Sequence, residues 1–240
     1  MAAAGRTLLV LAIIAAAAVV ASGFGARFGI WTFGIGFGVL RWGVYASFAV
    51  AALAFVALVV PKWRTNNVAS LAAALAIGLV AGAVPAYWFE KGISVPPIND
   101  ITTDTTDPPT FVAIAPLRAD VRVPTTYPGE AFAKQQHAAY PDIKPVEVEA
   151  WPPTAFARAL DTAKRMGWAI VAADPVAGRI EATATTPWFG FKDDVVIRIT
   201  PEPGGSRLDI RSVSRVGQSD LGANAARIRS YVELLDKGSA

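Results

Sequence analysis

Hydrophobic positions run almost unbroken through residues 1–90 and turn periodic after them. Charge is absent for 20 residues between Arg6 and Arg27, for 20 between Arg41 and Lys62, and for 25 between Arg64 and Glu90. A helix rises about 1.5 Å per residue, so about 20 apolar residues cross a bilayer core of about 30 Å. The pattern predicts three spans, over about Thr7–Gly23, Gly43–Val60 and Val68–Phe89, the second stopped by Pro61. Arg6, an apolar run and Ala21-Ser22-Gly23 also outline a cleaved signal peptide, but two further spans follow. Tyr87 and Trp88 close the third span where aromatic rings suit the headgroup layer. Between the first two spans lies FGIWTFGIGFGVL, 13 residues. It reaches only about 20 Å as a helix and predicts an interfacial or re-entrant segment. Gly29, Gly34, Gly36 and Gly38 in it suit close helix packing.

The remainder reads as a water-soluble unit. Residues 93–128 are proline-rich, and Pro96-Pro97 and Pro108-Pro109 impose extended backbone. A short helix is expected at about Gly129–Ala139 and a strand at Val146–Glu149. Pro152-Pro153 open a helix with Phe156, Leu160, Ala163 and Met166 on one face. Four strands follow, at Trp168–Ala173, Arg179–Thr185, Asp194–Thr200 and Arg207–Arg215, separated by turns as in an antiparallel meander. The last helix begins at Ser219 or Asp220 and buries Leu221, Ala225, Ile228, Val232 and Leu235. The fold class is therefore membrane helices plus α+β. Three N-terminal transmembrane helices occupy 1–90. A soluble domain over 91–240 follows, with an extended segment at 91–128 and a core at 129–240, its helices packed on one face of the meander. At about 150 residues it is long enough to fold without the spans.

Charge divides along the same line. The mean hydropathy is +0.41 and the pI about 9.3. Residues 1–89 hold Arg6, Arg27, Arg41, Lys62 and Arg64 and no acid, a net +5. The other 17 basic residues face 19 acidic ones, so the soluble part is slightly acidic. That distribution excludes a nucleic-acid reader, which concentrates positive charge on its soluble domain. No cysteine is present, which removes disulfides, thiol nucleophiles and thiolate metal sites. With His137 the single histidine, neither a metal centre nor a cofactor is expected. The spans contain no ionisable residue, which argues against an ion or proton pathway. The basic loop PKWRTNN and Arg6 fall on one side of three spans, and the positive-inside rule places them in the cytoplasm. The soluble domain is then periplasmic, on a multi-pass protein of the inner membrane.

Several segments carry a resemblance. INDITTDTTDPP, AAYPDIKP, GW, WFGFKDDVVIRI and RSVSRVGQSDLGANAARIR, in that order over about Ile98–Val232, closely resemble the bacterial family known as domain of unknown function 1499. The resemblance implies N-terminal membrane spans and no established reaction.

Candidate chemistry is sparse. Asn99, Asp100, Asp104 and Asp107 offer oxygen ligands to a hard cation, but EF-hand spacing and the terminal Glu are missing, and Asx and Ser/Thr turns pinning the segment to the sheet are the favoured reading. His137, Tyr140 and Asp142 suggest a base and its orienter for a serine, yet no G-x-S-x-G turn presents one. Asp193-Asp194 are paired carboxylates in sequence that point to opposite sheet faces. Trp188, Phe189 and Phe191 suit the core, a bilayer or a partner. The best candidate is the stripe Asp220, Asn224, Arg227 and Tyr231, with Arg211 and Arg215 on one face of the preceding strand. Arginine forks suit carboxylates and phosphates. Arg227 and a strand arginine are expected to approach one cleft, so the candidate ligand-binding set is Arg211, Arg215, Asp220, Asn224 and Arg227. No catalytic residue is identified.

The leading reading is a non-enzymatic envelope protein in the lipid bilayer whose domain binds an anionic ligand, lipid headgroup or protein partner. The alternatives are a hydrolase acting on an envelope component and a structural subunit of a membrane complex.

Overall fold

The computed structural model describes residues 2–64, 66–119 and 121–237. It divides into two compact units.

The first unit comprises residues 1–91 and the loop 187–190. It contains α1 (Ala2–Arg27), α2 (Phe33–Val59), the single turn α3 (Pro61–Arg64) and α4 (Val68–Ile93). Among the described residues three helices are long and apolar enough to cross a membrane: Ala4–Arg27, Phe33–Val59 and Val68–Ile93. The segment at 28–40 is not a separate re-entrant element. Its first five residues form the loop, and Phe33 to Leu40 are the opening turns of α2. Thr32 caps that helix, its Oγ1 accepting from the Ile35 amide at 3.5 Å. No proline then interrupts the helix, so the glycines are carried through it. Arg41 consequently lies inside α2, its guanidinium 6.0 Å from the Trp42 ring, on a stem long enough to reach the interface. Close helix contact depends on missing side chains. A Cβ at Gly43 meets Val19 Cγ2 at 2.9 Å, and one at Gly78 meets the Ser47 carbonyl at 2.6 Å. Trp188 and Phe189 pack within this unit. Trp188 Nε1 donates to the Val20 carbonyl at 3.0 Å, and Phe189 stacks on Phe37 at 4.9 Å.

The second unit comprises 92–186 and the residues from 191 onward. Its elements are β1 (Asp100–Thr102), a 3-10 turn (Ala115–Arg118), α5 (Glu130–Ala139), β2 (Val146–Val148), α6 (Pro152–Arg165), β3 (Ala169–Asp174), β4 (Arg179–Thr185), β5 (Lys192–Glu202), β6 (Gly205–Ser214) and α7 (Ala223–Lys237). The sheet is antiparallel in the order β1-β6-β5-β4-β3, and β2 pairs the other half of β6. Alternation along the strands creates two dissimilar faces. Ile180, Ala182, Val195, Ile197, Ile199, Leu208 and Ile210 point to α6 and α7 and pack with Phe156, Ala159, Trp168, Ile228 and Leu235. Burying each large aliphatic side chain contributes about 1.5–3 kcal/mol. Tyr231 joins this core, stacked on Trp168 at 5.2 Å with its hydroxyl donating to the Ala159 carbonyl at 2.8 Å.

The opposite face is also covered. It carries Glu181, Thr183, Asp194, Arg198, Asp209 and Arg211 around a small apolar cluster of Phe111, Ile114, Val196 and Val213. Phe111 and Ile114 come from the proline-rich segment. That segment is thus not merely extended: it contributes β1, the 3-10 turn and a lid over polar strands. The strand β6 is buried everywhere except at Arg207, which is half-buried. One expectation for the last helix fails. Leu221 is exposed, with φ of 54°, because the helix starts at Ala223 and Leu221 belongs to the turn before it.

Candidate functional site

Polar side chains on the second sheet face pair with the lid. Arg211 and Asp100 form a bidentate ion pair, Nε to Oδ1 at 2.9 Å and Nη2 to Oδ2 at 2.7 Å, and are 1% and 2% exposed. Arg211 also donates to the carbonyls of Pro109 at 3.1 Å and Thr125 at 2.8 Å, between the rings of Phe111 and Tyr127. Burial pushes the Asp100 carboxyl up, against the pull of Arg211, and pushes the Tyr127 hydroxyl to about 12. Next along the face, Asp194 accepts from Thr183 Oγ1 at 2.7 Å and from Arg215 at 2.8 and 2.9 Å, with Arg118 Nη1 3.3 Å away. Arg198 and Arg207 then share Asp209 and Asp104. Glu181 accepts the amides of Val112, Ala113 and Ile114 at 2.8–3.0 Å.

A second polar cluster sits under α7 on the helix-covered face. Arg227 pairs with Asp193 and donates to Ser212 Oγ at 3.0 Å and to Asn224 Oδ1. Ser212 Oγ donates to Asn224 Oδ1 at 2.7 Å. Asn224 Nδ2 reaches the Asn99 carbonyl and Ser214 Oγ, both at 3.0 Å. Asp220 does not lie on the helix but closes its N-terminus, accepting from the amides of Gly222 at 2.8 Å and Asn224 at 2.7 Å. Burial raises its pKa, the two amides oppose that, and Asp193 adds to it.

The expected convergence of Arg227 with a strand arginine does not occur. Successive strand residues alternate faces, so Arg211 and Arg215 point to the lid while Ser212 and Ser214 point to α7. Asp220, Asn224 and Arg227 do come together, with Asp193 as an unforeseen fourth member. The other constellations separate. His137 Nε2 lies 2.9 Å from Thr105 Oγ1, whereas Asp142 makes a bidentate pair with Arg229 that holds its carboxyl below the ordinary value. Asp100, Asp104 and Asp107 each engage an arginine, and Asp104 Oδ1 also accepts the amides of Thr106 and Asp107 at 2.9 Å. The segment is therefore a set of turns and ion pairs. Ser212 Oγ receives a hydrogen bond from the Arg227 guanidinium and gives its own proton to the Asn224 amide oxygen rather than to a base.

A cavity of about 410 Å³ opens beside β1, lined by Asn99, Asp100, Arg122, Thr126, Phe132 and Gln218 together with prolines and Val123. Among the described residues, Arg122 makes no hydrogen bond or ion pair, and it is exposed to the cavity mouth. Sequence reasoning missed Arg122 because it stands alone in irregular chain with no periodic partner. Arg118 and Glu181 were missed for a related reason: their partners include a carboxylate and backbone groups distant in sequence. No curated protein matches the chain. Residues 100–235, the sheet and helices that build both polar clusters, match the family described as "Protein of unknown function (DUF1499)", and the chain belongs to that family.

Proposed function

We propose that the chain is a multi-pass protein of the bacterial inner membrane whose domain from about residue 92 lies in the periplasm and binds an anionic ligand without turning it over. The observation that carries the binding reading is Arg122. Most other arginines of the domain are engaged by carboxylates, whereas this one faces a cavity of ligand size. The pairing of Arg211, Arg215 and Arg227 with Asp100, Asp194 and Asp193 supports a structural role for them and favours the cavity as the ligand site.

Orientation rests on charge. Because Arg41 belongs to α2, the loop 28–32 has no basic residue, whereas the connection between α2 and α4 carries Lys62 and Arg64 in the turn α3. The positive-inside rule places the latter in the cytoplasm. Alkaline phosphatase fused after residue 240 should be active, and a fluorescent protein at the same position should stay dark. The reverse pattern overturns the orientation.

The binding reading is tested by purifying the full-length chain from its membranes and identifying small anionic molecules retained by it. Arg122→Glu should abolish that retention and leave the melting temperature unchanged. Equal retention by both proteins removes the cavity as the site.

A further inference from the structure

The walls of the cavity at β1 specify more than charge. Pro97, Pro124 and Pro128 have no amide hydrogen, so the backbone of these three positions donates nothing to a ligand. Val123 and Phe132 add apolar surface. Phe132 packs against the main core and Val123 against the smaller cluster under the lid, which anchors this surface from two sides.

The polar groups of the walls fall into two sets. Asn99 and Asp100 are already committed, Asn99 Nδ2 to the Gly217 carbonyl at 2.5 Å and Asp100 to both nitrogens of the Arg211 fork. Arg122, Thr126 and Gln218 are exposed, and among the described residues they have no hydrogen-bond partner. Because Arg211 pairs with Asp100, the uncompensated charge among the described wall residues is that of Arg122. A planar guanidinium fork recognises a carboxylate or phosphate ester in two-point contact. Pockets of 300–1,000 Å³ that combine apolar walls with a few polar groups take small organic ligands.

We infer that this cavity takes a monoanionic amphiphile, with its carboxylate or phosphodiester on Arg122 and its apolar body against Phe132, Val123 and the prolines. The inference rests on the ligand-binding reading above and names the class of ligand. Thr126 and Gln218 supply neutral hydrogen bonds beside the anion. A free organic acid and an anionic lipid headgroup with short adjoining chains share this chemistry.

The test uses the full-length chain in nanodiscs of phosphatidylcholine, titrated with 1-naphthoate, 1-naphthamide, acetate and dihexanoyl phosphatidylglycerol below its micelle concentration. A hydrogen bond to a charged group is worth about 10- to 100-fold in affinity. Naphthoate or the short-chain lipid should therefore bind at least about ten-fold more tightly than naphthamide and acetate. Arg122→Gln should erase that advantage while naphthamide binding stays the same, and Arg122→Lys should restore part of it. Whichever of naphthoate and the short-chain lipid binds more tightly identifies the source as a free acid or a headgroup. Acetate binding as tightly as naphthoate overturns the amphiphile and leaves an anion site standing. Naphthamide binding as tightly as naphthoate, or no binding by any probe, overturns both readings.

Discussion

Arg211→Ala should lower the stability of the domain by about 3–5 kcal/mol, the cost of leaving a buried carboxylate without its partner. Asp100 is 2% exposed, so the substitution leaves its carboxylate buried without the guanidinium. The substitution also strips donors from the carbonyls of Pro109 and Thr125 and removes the cation between two aromatic rings. Arg211→Lys should rescue little, because an ammonium cannot make the two parallel bonds to Asp100 and reach both carbonyls. Combining Arg211→Met with Asp100→Leu should recover most of the loss, since apolar replacement of both members of a buried pair is often neutral. Chemical denaturation of the full-length chain in detergent measures all four proteins. A loss below about 1 kcal/mol for Arg211→Ala would show that this pair does not hold the lid.

Glu181→Ala should cost about 3 kcal/mol or more and loosen the lid locally. Its carboxylate is completely buried and terminates three consecutive amides, those of Val112, Ala113 and Ile114. Each buried amide left unpaired costs about 1–3 kcal/mol unless the chain shifts to expose it. The shift is the cheaper outcome, so hydrogen exchange at these three amides should accelerate while exchange in β5 stays slow. Glu181→Gln keeps one carbonyl oxygen but turns an NH₂ group toward donors, so it should fall between wild type and alanine. Unchanged exchange at residues 112–114 in Glu181→Ala would refute the anchoring role.

Much of the fold was legible because it is local. Charge-free runs mark the three apolar helices, and alternation at Ile180-Ala182-Ala184 or Val195-Ile197-Ile199 marks strands facing a core. The boundary of α2 was misread because a run too short to cross alone is continuous with the helix after it. The lid was read correctly as turns at Asp104, where the signal lies within four residues. Its strand β1 was invisible, since three residues carry no period, and its function depends on β6, more than a hundred residues away. The site suffered the same limit. Helical spacing did bring Asn224 and Arg227 together, with Asp220 next to them as the cap. The second sheet face could not be foreseen as buried, because its residues are charged and the chain that neutralises them is irregular. A row of arginines and carboxylates on one strand face reads as solvated surface until a covering segment is known.

The separation of Asp100 from Arg211 by 111 positions also has a meaning in time. At about 5–20 residues per second, a ribosome delivers Asp100 roughly 5–20 s before the arginine that receives it. Throughout that interval β1 has no strand to pair with, because its neighbour β6 is the last strand made. Glu181, which ties down Val112–Ile114, arrives earlier but still after the whole lid. The segment that finally seals the sheet must therefore wait, hydrated, beside a growing chain. Its prolines, turn-forming aspartates and threonines suit it to that wait, since they keep it soluble and poorly able to pair with itself. The domain closes like a drawstring: the cord is threaded first and pulled tight last.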